Sequence, residues 1–279
     1  MRSAEIQKIF DSSAKSADRL QGFVADMHVE RAERAYDVQK QRREKYGYIT
    51  EYSKEFDEKG IVVIPNFMSD MIEFVEEIEK FPIAENKNEH NLVFGTPRAW
   101  IQSRADDFAR LYDIVMDCHA LPTLEPQFKQ NTFVQRHRNI PDDNDVQKTL
   151  HMDTFFTTIK FWFFPEDVTI DDGPFRFVEK SNILTDERKE WMRQQWQNIL
   201  DDNVEEERTY GHAEGSLRVF EHELLEMNLS NPKSYSVEAN TLVVANTFGF
   251  HARGQASTEK IRQAVHGSIR LAQPFQVSF

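Results

Sequence analysis

The sequence predicts a mainly β protein: an antiparallel sandwich or barrel, with helices added at its front and one helix inserted. Three observations carry that prediction. From about residue 90, short apolar runs alternate with polar turns (TFVQRH, TTIKFWFF, GPFRFVEK, TLVVANTF, QAVHGSIRL), which is the pattern of antiparallel strands and not of βαβ units. Aromatic residues make up 12% of the chain, with 22 Phe against 7 Tyr, so a sizeable core is easily filled. Helical periodicity is found at the front and in one interior segment.

Residues 4–46 read as helix. Leu20, Phe23, Val24 and Met27 recur at i, i+3, i+4 and i+7, no proline intervenes, and Gly47 ends the charged run VQKQRREKYG. Such a helix either packs on its own domain, as most amphipathic helices do, or acts as an interaction arm that could join copies into a homo-oligomer. KGIVVIPNF (Lys59 to Phe67) is a β-branched run closed by a proline turn, hence a strand. SDMIEFVEEIEKF follows, with Ser69 as N-cap and Met71, Phe74, Val75 and Ile78 at helical spacing. Inside the β region, LTDERKEWMRQQWQNILDD reads as a helix capped by Thr185, with Met192, Trp196 and Ile199 on one face. The expected organisation is a helical extension over residues 1–48 and one β domain over 49–279, with the helical insert near 184–203.

A formal charge of −13 disfavours nonspecific binding to nucleic acid or anionic membranes, although Arg136, His137 and Arg138 cluster locally. No apolar run approaches the length of a membrane span. MRSAEIQKIFDSSAK carries charges where a signal peptide would be apolar. Peripheral membrane contact stays open. Cys118 is the single cysteine, which rules out an intramolecular disulfide or a cysteine-built metal site and makes a reducing cytoplasm the expected setting. Within the apolar stretch LYDIVMDCHALP it reads as an inert core thiol.

Chemistry enters with LHMDTFFTTIKFWFF (Leu150 to Phe164). On an extended segment, His151 and Asp153 at i and i+2 point to the same side and can reach one ion. Imidazole and carboxylate together suit a borderline metal such as Fe(II), and two His with one carboxylate on one face leave positions for a co-substrate and oxygen. The tripeptide alone is weak, since nine histidines in an acidic chain make one His-x-Asp about an even chance. His28-Val29-Glu30 and His212-Ala213-Glu214 have a similar shape. The first lies in the N-terminal helix, where i and i+2 diverge, and the second in a polar loop. A third ligand has to come from elsewhere. ANTLVVANTFGFHARG brings a strand, Thr241 to Ala245, through a turn to His251, and Arg262 opens another strand eleven residues on. Paired as a hairpin, these strands would set a metal ligand beside a planar cation suited to a carboxylate. 2-Oxoglutarate fits such a pair, with its keto-acid head on the metal and its distal carboxylate on the arginine.

In His151-x-Asp153, His251 and the arginine eleven residues on, the chain resembles the phytanoyl-CoA dioxygenase family of Fe(II)/2-oxoglutarate oxygenases. EFDEKGIVVIPNFMSDMIEFVEEIEKF resembles that family's opening strand-turn-helix, and the resemblance covers roughly residues 50–275. LHMDTFFTTIKFWFF, DDGPFRFVEKSN and NTLVVANTFGFHARG are most similar to a bacterial subgroup that includes Kdo 3-hydroxylases, which act on the inner-core sugar of lipopolysaccharide. The resemblance implies a double-stranded β-helix core of the jelly-roll, cupin-like type. It implies a metal triad of His151, Asp153 and His251, with Arg262 on the far carboxylate of 2-oxoglutarate. The implied reaction uses O2 to hydroxylate a C–H of a small-molecule or sugar substrate, an anionic one such as a Kdo-type sugar being the lead, and releases succinate and CO2. Asp153, where halogenating relatives carry a small residue, implies hydroxylation. Two departures bear on the substrate. Glu179-Lys180-Ser181-Asn182 stands where the family writes a Pro-Gly-Ser-His-like turn near the substrate mouth, and HGSIRLAQPF is less aromatic and basic than the subgroup's ending.

Other residues carry paired readings. Alternation puts Lys160, Trp162 and Phe164 on one face. The resemblance sets Trp162 against the co-substrate, and a plain core residue is the alternative. Lys160 is costly to bury unpaired, so it meets an anion (co-substrate or substrate) or reaches water at a sheet edge. Gln135 lies on the strand before His151, where related enzymes hydrogen-bond 2-oxoglutarate, and a solvated or core-bonded glutamine is equally expected. Asn246 and Thr247 either support the metal ligands from behind or only make the turn. Arg253 meets an anionic substrate or forms a surface ion pair, and His266 is a partly buried strand histidine. A second class of function is a non-catalytic metal-binding sandwich acting as a binding or regulatory module. Arg262 speaks against it, because a structural metal needs no carboxylate clamp. A hydrolase or isomerase on the same barrel lacks a dedicated general base.

Overall fold

The β-rich region builds two antiparallel sheets that face each other. A computed structural model describes residues 3–81, 91–95, 98–123, 128–141, 145–153, 158–200 and 216–271. Its strands are Ile61–Ile64 (β1), Asn91–Gly95 (β2), Phe128–Asn139 (β3), His151–Asp153 (β4), Ile159–Phe164 (β5), Phe175–Phe177 (β6), Ser216–Arg218 (β7), Lys233–Tyr235 (β8), Thr241–Asn246 (β9), His251–Arg253 (β10) and Lys260–Leu271 (β11). One sheet runs β1-β9-β5-β11-β3-β2 and the other β7-β4-β10-β6-β8. The chain crosses between sheets from β4 to β5 to β6, and again from β9 to β10 to β11. That winding is the double-stranded β-helix, or jelly roll, that the sequence led us to expect.

The crossing overturns the expected hairpin. β10 pairs with β4 and β6, whereas β11 pairs with β3 and β5. The intervening segment is held away from a tight turn: the Gly254 N–H donates to Pro174 O at 2.7 Å, and Ala256 bridges to Asp172. These contacts carry the chain across to the other sheet.

Seven helices flank the sheets among the described residues: Ser3–Tyr46 (α1), Glu51–Lys59 (α2), Met71–Glu79 (α3), Arg98–Ser103 (α4), Ala105–Cys118 (α5), Asp186–Leu200 (α6) and Glu221–Glu226 (α7). Strand alternation divides the apolar residues between layers. Val62, Ile64, Phe161, Phe163, Leu242 and Val244 face outward from the larger sheet and pack on α2 to α5 through Phe56, Phe74, Trp100 and Leu111. Cys118 belongs to this outer core and is fully buried, which pushes its thiol pKa well up and leaves it inert. Ile61, Phe164, Phe175, Phe177, Val243 and Ala264 fill the space between the sheets. Met152, Leu217, Phe248 and Phe250 pack outward from the smaller sheet onto α1, α6 and α7.

Two local expectations are corrected. The N-cap of α3 is Asp70, whose side chain accepts from the Glu73 N–H at 3.4 Å, and not Ser69. On α1 the buried face is Ala25, Val29, Ala32 and Ala35, whereas Met27 is 40% exposed. The side chains of Leu20 and Phe23 lie outside the described residues. Small residues let α1 approach α6 closely, and His28 stacks on Trp196 with ring centroids 3.8 Å apart. On α6, Met192 is buried with Trp196 and Ile199 packed beside it, and Thr185 caps the helix by accepting from the Arg188 N–H at 3.2 Å.

Candidate metal centre

His151 and Asp153 lie on β4 and His251 opens β10, where it is the register partner of His151. The ligating atoms of these three side chains lie within 4.8 Å of one another, a grouping that could hold a metal ion. The imidazole centroids are 4.3 Å apart, and the two histidines are only 3% and 4% exposed. Each ring is oriented the same way. His151 Nδ1 lies 2.8 Å from Thr149 O, and His251 Nδ1 lies 3.0 Å from Gly249 O. A carbonyl can only accept, so each Nδ1 carries the proton and each Nε2 keeps its lone pair for a metal.

Electrostatics reinforces the donor set. Burial and the neighbouring charges lower both imidazoles, His151 well below its ordinary value and His251 to about 4, so both are neutral at physiological pH. Burial would raise Asp153, but the Lys160 ammonium and the two imidazoles hold it far below the usual carboxylate range. Lys160 Nζ stands 2.8 Å from Asp153 Oδ2. The sheet-edge expectation for Lys160 is therefore corrected, because β5 is a central strand and the nearest anion is a side chain of the triad itself. The Asp153 amide donates to Thr247 O at 2.8 Å, so Thr247 supports the triad from behind through its backbone. Asn246 turns the chain by accepting from the Phe248 N–H at 3.1 Å.

Two cavities with shared lining residues open beside the triad. One, of about 110 Å³, is lined by His151, His251, Gln135, Lys160, Trp162, Arg262 and others. Arg262 donates to Gly173 O, and burial with the nearby Arg253 lowers its pKa to about 9, so it stays charged at neutral pH. Trp162 stacks on His266 with centroids 4.9 Å apart and planes at 11°, and burial holds His266 neutral with a pKa of about 3. Arg253 is corrected from a surface ion pair to a buried one: its side chain is 11% exposed and pairs with Asp145. The other cavity, of about 250 Å³, shares Gln147, His151 and Lys160 and adds Asp153, Thr158, Ser216, Ser268 and Arg270. Sequence reasoning missed Gln147, Thr158, Ser216, Ser268 and Arg270. A signal existed for two of them, since the alternation that aims Arg262 and His266 inward along β11 continues to Ser268 and Arg270.

Several expectations fall away from the centre. The Glu179–Asn182 turn lines neither cavity. It lies behind β10, where Ser181 Oγ accepts from the Phe250 N–H at 2.8 Å. Arg136, His137 and Arg138 do not form a patch: alternation turns His137 to the opposite, buried face, and the two arginines are taken up separately, Arg136 by the carbonyl of Ile78 and Arg138 by Glu259. His28 is taken up by its stack on Trp196, and His212 lies outside the described residues.

Behind the triad lies a residue that periodicity could not flag. Arg188 of α6 is 1% exposed and has no carboxylate partner among the described residues. Its guanidinium sits 3.5 Å from the Phe250 ring centroid and donates to Phe248 O at 2.9 Å and Met152 Sδ at 3.2 Å. It therefore ties α6 to β4 through Met152 and to the turn leading into β10 through Phe248 and Phe250.

The fold and the donor set define a double-stranded β-helix protein with a His-Asp-His candidate metal centre. No family model and no curated protein matches the sequence. Solved structures do match the fold. HygX from Streptomyces hygroscopicus, with nickel, 2-oxoglutarate and hygromycin B bound, is similar over 80% of this chain and 88% of its own, at 13% identity and a TM-score of 0.51. The epimerase SnoN, in complex with Fe3+, alpha ketoglutarate and nogalamycin RO, is similar over 81% and 86%, at 14% identity and a TM-score of 0.52. At such identities the likeness is one of fold. No helix among the described residues is long and apolar enough to cross a membrane.

Proposed function

We propose that the protein is an Fe(II)/2-oxoglutarate-dependent oxygenase in which His151, Asp153 and His251 hold the metal. The observation that carries this reading is one cavity lined by two neutral imidazoles of the triad and, on the facing sheet, by Arg262. Two histidines and a carboxylate with free Nε2 lone pairs fit Fe(II). The Arg262 guanidinium would take the distal carboxylate of 2-oxoglutarate, with Gln135 and Trp162 along the co-substrate and Lys160 between co-substrate and Asp153. Iron and 2-oxoglutarate together would supply O2-dependent decarboxylation to succinate and CO2, coupled to hydroxylation of a substrate C–H. The chain's own part is to orient both partners, keep the triad deprotonated and exclude water. Residues 49–279 would be the oxygenase domain and residues 1–48 a helical extension.

The larger cavity supports a substrate class. Its lining offers hydroxyls from Thr158, Ser216 and Ser268, an amide from Gln147 and cations from Lys160 and Arg270, with no apolar side chain. A small, hydroxylated, anionic molecule matches that lining, and a Kdo-type sugar acid of the resembling subgroup meets the description. The similar structures hold small molecules, hygromycin B and nogalamycin RO, in keeping with a small-molecule substrate here.

Anaerobic titration with Fe(II) and 2-oxoglutarate tests the metal reading, which expects a weak visible absorption band. Succinate release over a panel of sugar acids, lipopolysaccharide fragments, amino acids and acyl thioesters then tests the substrate class. No metal uptake and no band would favour a non-catalytic binding module.

A further inference from the structure

β7 lies at the edge of the smaller sheet among the described residues, yet its side chains are all buried. It pairs along its length with β4: His151 with Arg218, Met152 with Leu217 and Asp153 with Ser216. Directly opposed residues of an antiparallel pair project to the same face, so Arg218 turns inward with His151. On the other side of β4, the register partner of His151 is His251. Arg218, His151 and His251 therefore stand in one row across β7, β4 and β10.

An arginine is almost never fully buried unless its charge is engaged, and Arg218 is only 2% exposed. It lines neither cavity beside the triad, so it is not placed to meet co-substrate or substrate. Its Nη1 donates to Thr149 O at 3.2 Å. That carbonyl is the one that accepts from His151 Nδ1 at 2.8 Å. A carbonyl oxygen has two lone pairs, and here one serves the imidazole and the other the guanidinium.

The strand ladder does not set the direction of this carbonyl. Thr149 precedes β4, at the end of the short helical turn Val146–Lys148, where its own N–H reaches Val146 O at 3.4 Å. Regular pairing with the β7 segment starts one residue later, at Leu150 O, which accepts from the Val219 N–H at 3.0 Å. A peptide outside the ladder is free to rotate, and rotation would carry the acceptor away from Nδ1 and turn the ring with it. His251 is served differently. Its Nδ1 donates to Gly249 O, in a turn that the Gly249 N–H closes on Asn246 O at 2.9 Å, so backbone alone fixes that acceptor. The hydrogen bond at one ring nitrogen decides where the lone pair of the other points. We propose that Arg218 is a positioning residue for the candidate metal centre, holding the Thr149 carbonyl so that His151 Nε2 stays aimed at the ion. The proposal rests on the metal reading given above.

The test compares the full chain with Arg218→Met and Arg218→Lys, using Co(II) as the probe ion. Arg218→Met keeps an unbranched stem and removes the donor. It should bind Co(II) about 10- to 100-fold more weakly, the usual loss for a partner behind a metal ligand, and the visible ligand-field spectrum of the bound ion should change. Arg218→Lys keeps a donor and should fall between Arg218→Met and the wild type. A second readout needs no metal: the NMR signal of the His151 Nδ1–H, assigned by its absence in His151→Gln, should be sharp in the wild type and broadened by exchange in both variants. Should Arg218→Met fail to fold, Arg218→Lys carries both readouts. Wild-type Co(II) affinity and spectrum in the folded variants, with an unchanged Nδ1–H signal, would overturn the proposal. Weaker binding with a wild-type spectrum and Nδ1–H signal would overturn it too, since loss of packing alone gives that result. If the wild type itself binds no Co(II), the metal reading fails, and the Nδ1–H comparison still decides whether Arg218 fixes His151.

Discussion

Lys160 holds its ammonium 2.8 Å from Asp153 Oδ2, so a half-buried cation sits directly against the one carboxylate of the candidate triad. Burial alone would drive Asp153 up, and this neighbour is the first of the charges that bring it down. In Lys160→Met the carboxyl should rise and compete for a proton at higher pH. The pH at which Co(II) or Fe(II) affinity halves should shift upward in the variant. An unchanged pH profile would remove Lys160 from its role in keeping Asp153 ionised.

Arg262 and Gly173 form one unit, since the guanidinium donates to the Gly173 carbonyl. Arg262→Ala should raise the 2-oxoglutarate KM by about 10- to 100-fold, the loss of a charge-assisted contact, with a smaller effect on iron affinity. Gly173 has φ +67°, and a Cβ there would lie 2.1 Å from Asn139 Nδ2 and 2.4 Å from Gly254 O. Gly173→Ala should therefore displace the carbonyl, raise the same KM and lower Tm. Steady-state kinetics with 2-oxoglutarate as the varied reactant checks both.

Arg188 is desolvated without a carboxylate to balance it, and burial lowers its pKa well below the ordinary value. Arg188→Met keeps the volume and the contacts to Phe250, so it should stay within about 1–2 kcal/mol of the wild type in urea unfolding. Arg188→Ala leaves a cavity behind β4 and the turn leading into β10 and should lose about 2–5 kcal/mol. Equal losses in the two variants would mean that the charge, not the packing, is what the strands need.

Acid should begin to destabilise the fold below pH 6.5, above the ordinary carboxylate range. Burial pushes His119 and His266 to about 3 and His251 to about 4, from an ordinary value of 6.5. Below pH 6.5 the unfolded chain takes up protons that the folded chain refuses, so stability is full above that value and falls as pH drops toward 4. A Tm series from pH 7 to 4 reads this directly. His119→Gln, far from the triad on the Ile269 carbonyl, should flatten the slope, and a flat wild-type series would contradict neutral burial.

Much of the fold was legible because a sheet's side chains alternate with a period of two. The runs around Phe161, Val243 and Val265 announced strands, and Met192, Trp196 and Ile199 announced a helix face. The expected packing face of α1 was wrong at Met27 because alanines, which periodicity ignores, made the close contact with α6. β7 and β8 are three residues each, too short to register as a pattern. Arg188 was invisible for a different reason: an arginine in a charged helix reads as solvent-facing until three aromatic rings are known to surround it.

By itself the sequence determined which side chains stand as the candidate donor set. The spacing of His151 and Asp153 on an extended segment puts both on one side, and strand chemistry after Thr241 delivers His251 and then Arg262. Only the tertiary structure decided how these meet. The expected hairpin would have joined His251 and Arg262 by neighbouring strands, but the chain crosses between sheets, and the two side chains face each other over the barrel interior. Register and sheet assignment are set by long-range pairing, β10 with β4 and β11 with β5, whose partners lie about a hundred residues away in the chain. Local pattern dictates which way a side chain points from its strand, and distant backbone pairing dictates what it then points at.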